Sequence, residues 1–125
     1  MTSLPDQART QVEARGRRAE AWASWLLRAK GYAIVVRRFR CSAGEIDLIA
    51  RRGRTLVFVE VKTRDSIAAA LESVGPRQRT RIGAAARAFL GRQPGLAGGT
   101  LRFDVIALAP RRLPRHIVDA WQEGS

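Results

Sequence analysis

The runs Gly44-Glu45-Ile46-Asp47-Leu48-Ile49-Ala50 and Thr55-Leu56-Val57-Phe58-Val59-Glu60-Val61-Lys62, joined by the basic turn Arg51-Arg52-Gly53-Arg54, decide how this chain folds. Both are rich in β-favouring residues and both alternate, and a turn with a glycine between two such runs reads as a β-hairpin. With the turn centred between Arg52 and Gly53, Glu45 faces Glu60 and Asp47 faces Phe58. One face of the hairpin then carries Ile46, Leu48, Val57, Val59 and Val61 and is apolar throughout. The other carries Ile49, Leu56 and Phe58 near the turn, with Glu45, Asp47, Glu60 and Lys62 gathered at the open end.

A strand buried on both faces does not end in carboxylates and an ammonium without a cause, because burying charge is costly. In this register Asp47 and Glu60 are diagonal neighbours, roughly 7–8 Å apart at Cα, so their carboxylates can converge on one ion. Oxygen ligands on rigid strands suit a hard cation such as Mg²⁺, which keeps several waters and completes its shell with substrate phosphate. Lys62 shares the face of Glu60, where its amine could orient or deprotonate an attacking water, or stabilise charge building on a phosphate. The plainer alternative is an edge hairpin with a solvated ion-pair cluster, and an acid-x-Lys pattern is too short to separate the two. Composition adds a hint. Of 23 basic residues only Lys30 and Lys62 are lysines, and Arg cannot act as a base whereas Lys can when its pKa is depressed.

The 125 residues suffice for one domain with one core, and the 46% hydrophobic and 27% charged fractions are ordinary for a globular protein. The net charge of +12 is not. It points to a polyanion, nucleic acid before an acidic membrane surface. An Arg-rich genome would explain Arg over Lys, but not the excess of base over acid. Cys41 stands alone, which excludes a disulfide framework and a thiolate zinc site; His116 also stands alone, which excludes a multi-histidine metal site. No run approaches a membrane span and the N-terminus lacks the apolar core of a signal peptide, so the expected location is the cytoplasm, with no membrane partner.

Residues 1–10 are polar, contain Pro5, and read as a disordered leading segment; 11–121 read as a single domain and 122–125 as a tail. From Gln11 to Lys30 the chain reads as a helix with Val12, Ala19, Trp22, Ala23, Leu26 and Ala29 near helical spacing and Gly31 ending it. Glu20 sits at the edge of that stripe: it could pair with Arg17 on the surface, or be aimed at Asp47 and Glu60. Tyr32 to Phe39 reads as a strand leading into the hairpin. Ile67 to Val74 is either a short helical turn or a loop. Pro76 opens a second helix with Ile82, Ala85, Ala86, Phe89 and Leu90 on one stripe. Arg77, Gln78, Arg79 and Arg81 crowd its first turns, where cations oppose the helix dipole and a bound phosphate would relieve the conflict; a solvated polar face is the alternative. Leu101–Leu108 and His116–Trp121 are strands. The expected architecture is α/β, a mixed central sheet flanked by helices in the order α-β-β-β-α-β-β.

That order, with an acid on the second strand and Glu-x-Lys on the third, resembles the restriction-endonuclease-like core of the PD-(D/E)XK nuclease superfamily. More closely, it is similar to the YraN-like family of predicted endonucleases related to Holliday-junction resolvases. The resemblance spans nearly the whole chain and rests on Gly31-Tyr32, Arg40-Cys41, Gly44 to Ile49, Phe58 to Arg64, the helix after Pro76, and Arg102-Phe103-Asp104-Val105. It implies that Asp47 and Glu60 hold Mg²⁺ or Mn²⁺, that Lys62 positions or activates water, and that Glu20 joins the metal shell. Two positions depart from the pattern: Ile46 stands where the superfamily has a nominal Pro, and Arg77-Gln78 stand where relatives tend to have Lys. Asp104 matches a family position, and strand-end pairing is its expected role.

Two functions follow as expectations. One is a Mg²⁺-dependent endonuclease cutting DNA, with branched or structured DNA as a candidate substrate and a homodimer as a candidate form; Arg40, Arg64 and the Arg77–Arg81 turn would hold the backbone. The other is a non-catalytic nucleic-acid-binding module that retains the fold. A weaker third is a basic protein bound to RNA or to another protein, its acidic cluster merely structural.

Overall fold

A computed structural model describes residues 6–123, with side chains described from residue 16 onward. A long helix α1 (Asp6–Ala29) is followed by three strands, β1 (Ala33–Cys41), β2 (Gly44–Arg52) and β3 (Thr55–Thr63). Two helices, α2 (Ile67–Glu72) and α3 (Pro76–Arg92), a 3₁₀ turn at Pro94–Leu96, and strands β4 (Thr100–Leu108) and β5 (Arg115–Trp121) complete the domain. The strands form one sheet in the order β1-β2-β3-β4-β5; β3 and β4 run parallel, and every other neighbouring pair is antiparallel. The mixed sheet with helices packed on it agrees with the α/β expectation. The crossover through α2 and α3 is what permits parallel strands, since a tight hairpin cannot.

Helix α1 begins at Asp6 and so takes in residues that the sequence assigns to the disordered leading segment; residues 1–5 lie outside those described. Its end is a Schellman motif: Tyr32 N–H donates to Leu27 O at 2.9 Å, Gly31 N–H donates to Arg28 O at 3.0 Å, and Gly31 takes a φ of 92°. Leu27 and Tyr32 bury together beneath this turn. Within the stretch from Ile67 to Val74, the residues Ile67–Glu72 form helix α2, capped by Ser66 Oγ accepting from Ala69 N–H.

Each face of the sheet carries a core. On the α1 face lie Ala23, Leu27, Tyr32, Leu48, Val57, Val59 and Ile106; on the α3 face lie Phe39, Ile46, Ile49, Phe58, Ile82, Phe89 and Trp121. The stripe on α1 differs from the expected one: Ala23, Ser24 and Leu27 are buried, whereas Trp22 is 59% exposed. Small side chains at 23 and 24 let the helix backbone close on the sheet, and that rotation turns the bulky indole outward.

The hairpin register also differs. Arg52 pairs with Thr55 and Leu48 with Val59, so the turn is the two-residue Gly53-Arg54. Gly53 has a φ of 61°, which the favoured two-residue hairpin turns require at their first position. The difference is an even number of residues, so on β3 Glu60 keeps the face of Phe58. Ile46 does not stay with Leu48: it packs on the α3 face with Ile49 and Phe39. Strand β1 does the same, placing Val36 and Phe39, three residues apart, against one core. Both strands therefore break their two-residue alternation at one rung, where Arg38 has a φ of 56° and lies beside Asp47.

Candidate metal centre and phosphate cleft

The β2–β3 ladder ends at the pair Leu48–Val59, and beyond it the two strands fork. Asp47 stands at the fork. Its Oδ2 accepts the Val61 backbone N–H at 2.8 Å, a donor that the ended ladder leaves without a strand partner. Glu60 projects toward α3 and is 5% exposed. Lys62 Nζ lies 3.6 Å from Glu60 Oε2, and the Gln78 side-chain amide donates to the same oxygen. Burial and the neighbouring Asp47 carboxylate push the Glu60 carboxyl up to about 9, against the opposing pull of Lys62. Two carboxylates held this close resist ionising together unless a cation joins them.

Asp47, Glu60 and Lys62 line a cleft of about 610 Å³ whose other wall is the start of α3, with Gly75, Arg77, Gln78 and Arg81. Helix α3 begins without a side-chain cap at Gly75, so its first N–H groups are available to an anion. Gly44 brings the β1–β2 turn against this helix. A Cβ there would sit 3.0 Å from Arg81 O, so the approach depends on glycine.

The remaining expected site residues are placed as follows. Glu20 faces inward from α1 but accepts from Arg38 Nε at 2.6 Å. It lines a smaller cleft of about 320 Å³ on the α1 side, with Asp47, Lys62 and Arg64. Glu60 points to the opposite face of the sheet, so among the described residues no group of three or more His, Cys, Asp or Glu comes together as a metal site. The donor set that does converge is the pair Asp47 and Glu60. Two carboxylates fit a cation of the Mg²⁺ type, which draws the rest of its shell from water and phosphate. Arg40 is paired with Glu45 at 2.8 Å on the surface. Arg79 turns from the cleft: its Nε donates to Val74 O, and its guanidinium lies 5.6 Å from the centre of the Trp121 ring. Arg38 is the residue that sequence reasoning did not single out, and only its left-handed backbone brings it between Glu20 and Asp47.

A second polar cluster lies on the α1 face away from the cleft. Asp104, fully buried, accepts from Arg102 Nε and Nη2 at 2.9 Å, from the Asp119 backbone N–H at 2.9 Å, and from His116 Nε2 at 2.7 Å. Burial would raise its pKa, but these donors outweigh burial and lower it. Lys30 Nζ lies 2.9 Å from His116 Nδ1. An ammonium cannot accept, so Nδ1 is the acceptor and Nε2 carries the proton given to Asp104. Every lone-pair direction of Asp104 is used, so the carboxylate is a structural pairing group as expected, but in the middle of β4 rather than at a strand end.

Sequence comparison agrees with the fold's economy: the profile described as Uncharacterised protein family UPF0102 matches residues 19–108, from the inward face of α1 to the end of β4. A UPF0102 protein of Parvibaculum lavamentivorans is 54% identical over 107 residues, covering 86% of this chain and 80% of that protein. Others from Paramagnetospirillum magneticum, 48% identical over 122 residues, and Maricaulis maris, 49% identical over 122, cover 94% of this chain and 95% and 93% of theirs. With the match spanning the helix, the hairpin and the cleft, the chain belongs to the UPF0102 family, the YraN-like proteins.

Proposed function

We propose that the chain is a metal-dependent nuclease of the PD-(D/E)XK type that hydrolyses phosphodiester bonds in DNA in the cytoplasm. The observation that carries this reading is Glu60, a carboxylate 5% exposed and set beside the Asp47 carboxylate at the foot of a cleft whose far wall carries Arg77 and Arg81. A pair so arranged is costly as two anions and favourable around a divalent cation. Asp47 and Glu60 would hold Mg²⁺ or Mn²⁺, which when bound supplies Lewis acidity and a lowered pKa for its water. Lys62 is placed to orient the attacking water or to meet charge on the phosphate. The N-terminal N–H groups of α3, with Arg77 and Arg81, would cradle the phosphate so that a water oxygen can add to phosphorus as the ester oxygen leaves with a proton. Arg64, beside the smaller cleft, extends the basic track.

One observation favours the binding-module reading: Glu60 Oε2 already meets both Gln78 and Lys62, and Glu20 is held by Arg38. The test separates the two. Single-stranded, duplex, flapped and four-way-junction DNA are incubated with the protein and Mg²⁺, Mn²⁺ or EDTA, alongside Lys62→Ala. Metal-dependent cutting lost in the variant is the expected result. Salt-sensitive binding with no cleavage, identical in the variant, would overturn the nuclease.

A further inference from the structure

Trp22 and Trp25 are 59% and 65% exposed on α1, their rings 6.4 Å apart and inclined at 78°. Tryptophans with so little covering on a helix need a partner or carry a cost. At 100° per residue, Glu20, Ala23, Ser24 and Leu27 face the sheet, whereas Arg18, Trp22 and Trp25 fall at i, i+4 and i+7 on the opposite side. Arg18 and Arg28 are exposed, and Glu20, turned inward to Arg38, is the one acidic residue between 16 and 30. The outer face is thus aromatic and cationic together. A second copy is a poor occupant: packing this face on itself would set Arg18 and Arg28 against like charges. The two indoles also expose together only about 300 Å² on a ring size of about 250 Å² each, short of the ~800 Å² per partner of a stable interface. That area suits one or two nucleobases.

Resting on the nucleic-acid reading above, we propose that the Trp22–Trp25 corner is a stacking platform for unpaired bases, with Arg18 and Arg28 holding the flanking phosphates. Every base has a π-face, so stacking discriminates single-stranded from paired nucleic acid rather than one sequence from another. The platform would therefore give the protein a preference for DNA with a single-stranded arm. Trp25 lies about 7.5 Å further along the helix axis than Glu20, which lines the smaller cleft from the opposite side of α1.

The test uses the full chain in EDTA, so that it does not depend on cleavage. Intrinsic fluorescence is titrated with oligo(dT) and with duplex DNA; Trp121 is 6% exposed, which leaves Trp22 and Trp25 as the accessible fluorophores. Quenching by oligo(dT) is expected. In Trp22→Ala/Trp25→Ala, single-strand affinity should fall about tenfold or more while duplex affinity holds, and Trp22→Phe/Trp25→Phe should recover most of the loss. Unchanged single-strand affinity in the Ala variant would overturn the proposal. So would a blue shift with phosphatidylglycerol vesicles but not DNA, or a concentration-dependent dimer in sedimentation that the Ala variant abolishes. Failure of the nuclease reading would leave the quenching intact with no cleavage under Mg²⁺. Failure of this one would leave cleavage with no quenching.

Discussion

The Asp47 carboxylate accepts the Val61 backbone N–H at 2.8 Å, at the point where the β2–β3 ladder stops. A side chain thus takes the place of a backbone rung, and the strands can part without leaving a donor unpaired. Asp47→Ala removes that acceptor and should cost about 1–2 kcal/mol, read as a lower urea midpoint. Asp47→Asn retains a carbonyl oxygen and should cost less. If the proposed function holds, both lose metal-dependent cleavage while duplex binding stays at least as strong, because a negative charge that repels phosphate has left the cleft.

The raised pKa of Glu60 couples the site to pH. Its folded value of about 9 lies above the ordinary carboxyl value of 4.5, so the folded state holds the proton more tightly than the unfolded one. In EDTA, the stability that Glu60 contributes should therefore be fully present below 4.5 and be lost as pH rises toward about 9, by a few kcal/mol at most. Glu60→Gln should flatten that decline. A divalent cation competes with the same proton, so Mg²⁺ binding near neutral pH should release about one proton. Calorimetry in buffers of different ionisation enthalpy measures it, and the Gln variant should release none.

Asp104 behaves in the opposite sense. Its pKa is lowered below 3.8 by His116, Arg102 and the Asp119 N–H acting against burial. The stability it contributes is present above 3.8 and is lost as pH falls through the lower folded value. Asp104→Asn leaves Arg102, whose side chain is 16% exposed, without its charge partner. The expected cost is about 2–4 kcal/mol, seen in equilibrium denaturation at pH 7, with the acid-side slope reduced.

Glu20 and Arg38 are linked across the α1–β1 interface with side chains 19% and 35% exposed. A double-mutant cycle on Glu20→Gln and Arg38→Gln should give a coupling of about 0.5–1 kcal/mol that weakens with salt. If Glu20 belongs to Arg38 rather than to a cation, Glu20→Gln should leave Mg²⁺ affinity within about twofold of the unaltered chain, a change worth less than about 0.5 kcal/mol.

Much of the domain was legible in the chain because its signals are local. Alternation between Gly44 and Lys62 marks the hairpin, Pro76 marks the start of α3, and Gly31 marks the end of α1. The burial of Ile82, Ala85, Ala86 and Phe89 follows their helical spacing. Readings that needed a distance between elements fared differently. Trp22 counts as apolar in any periodicity, and only the closeness of Ala23 and Ser24 to the sheet sends it outward. The expected hairpin centre missed because Arg51-Arg52-Gly53-Arg54 admits more than one turn, and the choice was made by the strand contacts on both sides.

By itself the sequence determined that carboxylates and an ammonium share the open end of a hairpin in a chain of +12 charge, because alternation assigns faces whatever the surroundings. Tertiary structure decided which of those groups meet. Glu60 reaches the α3 wall with Gln78, whereas Glu20 arrives on the other side of the sheet and is taken by Arg38. Arg79 leaves the cleft for Trp121 although Arg77 and Arg81 stay in it. The physical reason is that a side chain's face is a property of its own strand or helix. Its partner depends on how far neighbouring backbones approach, and at Arg38 and Asp47 that is set by a break in alternation that no local pattern announces.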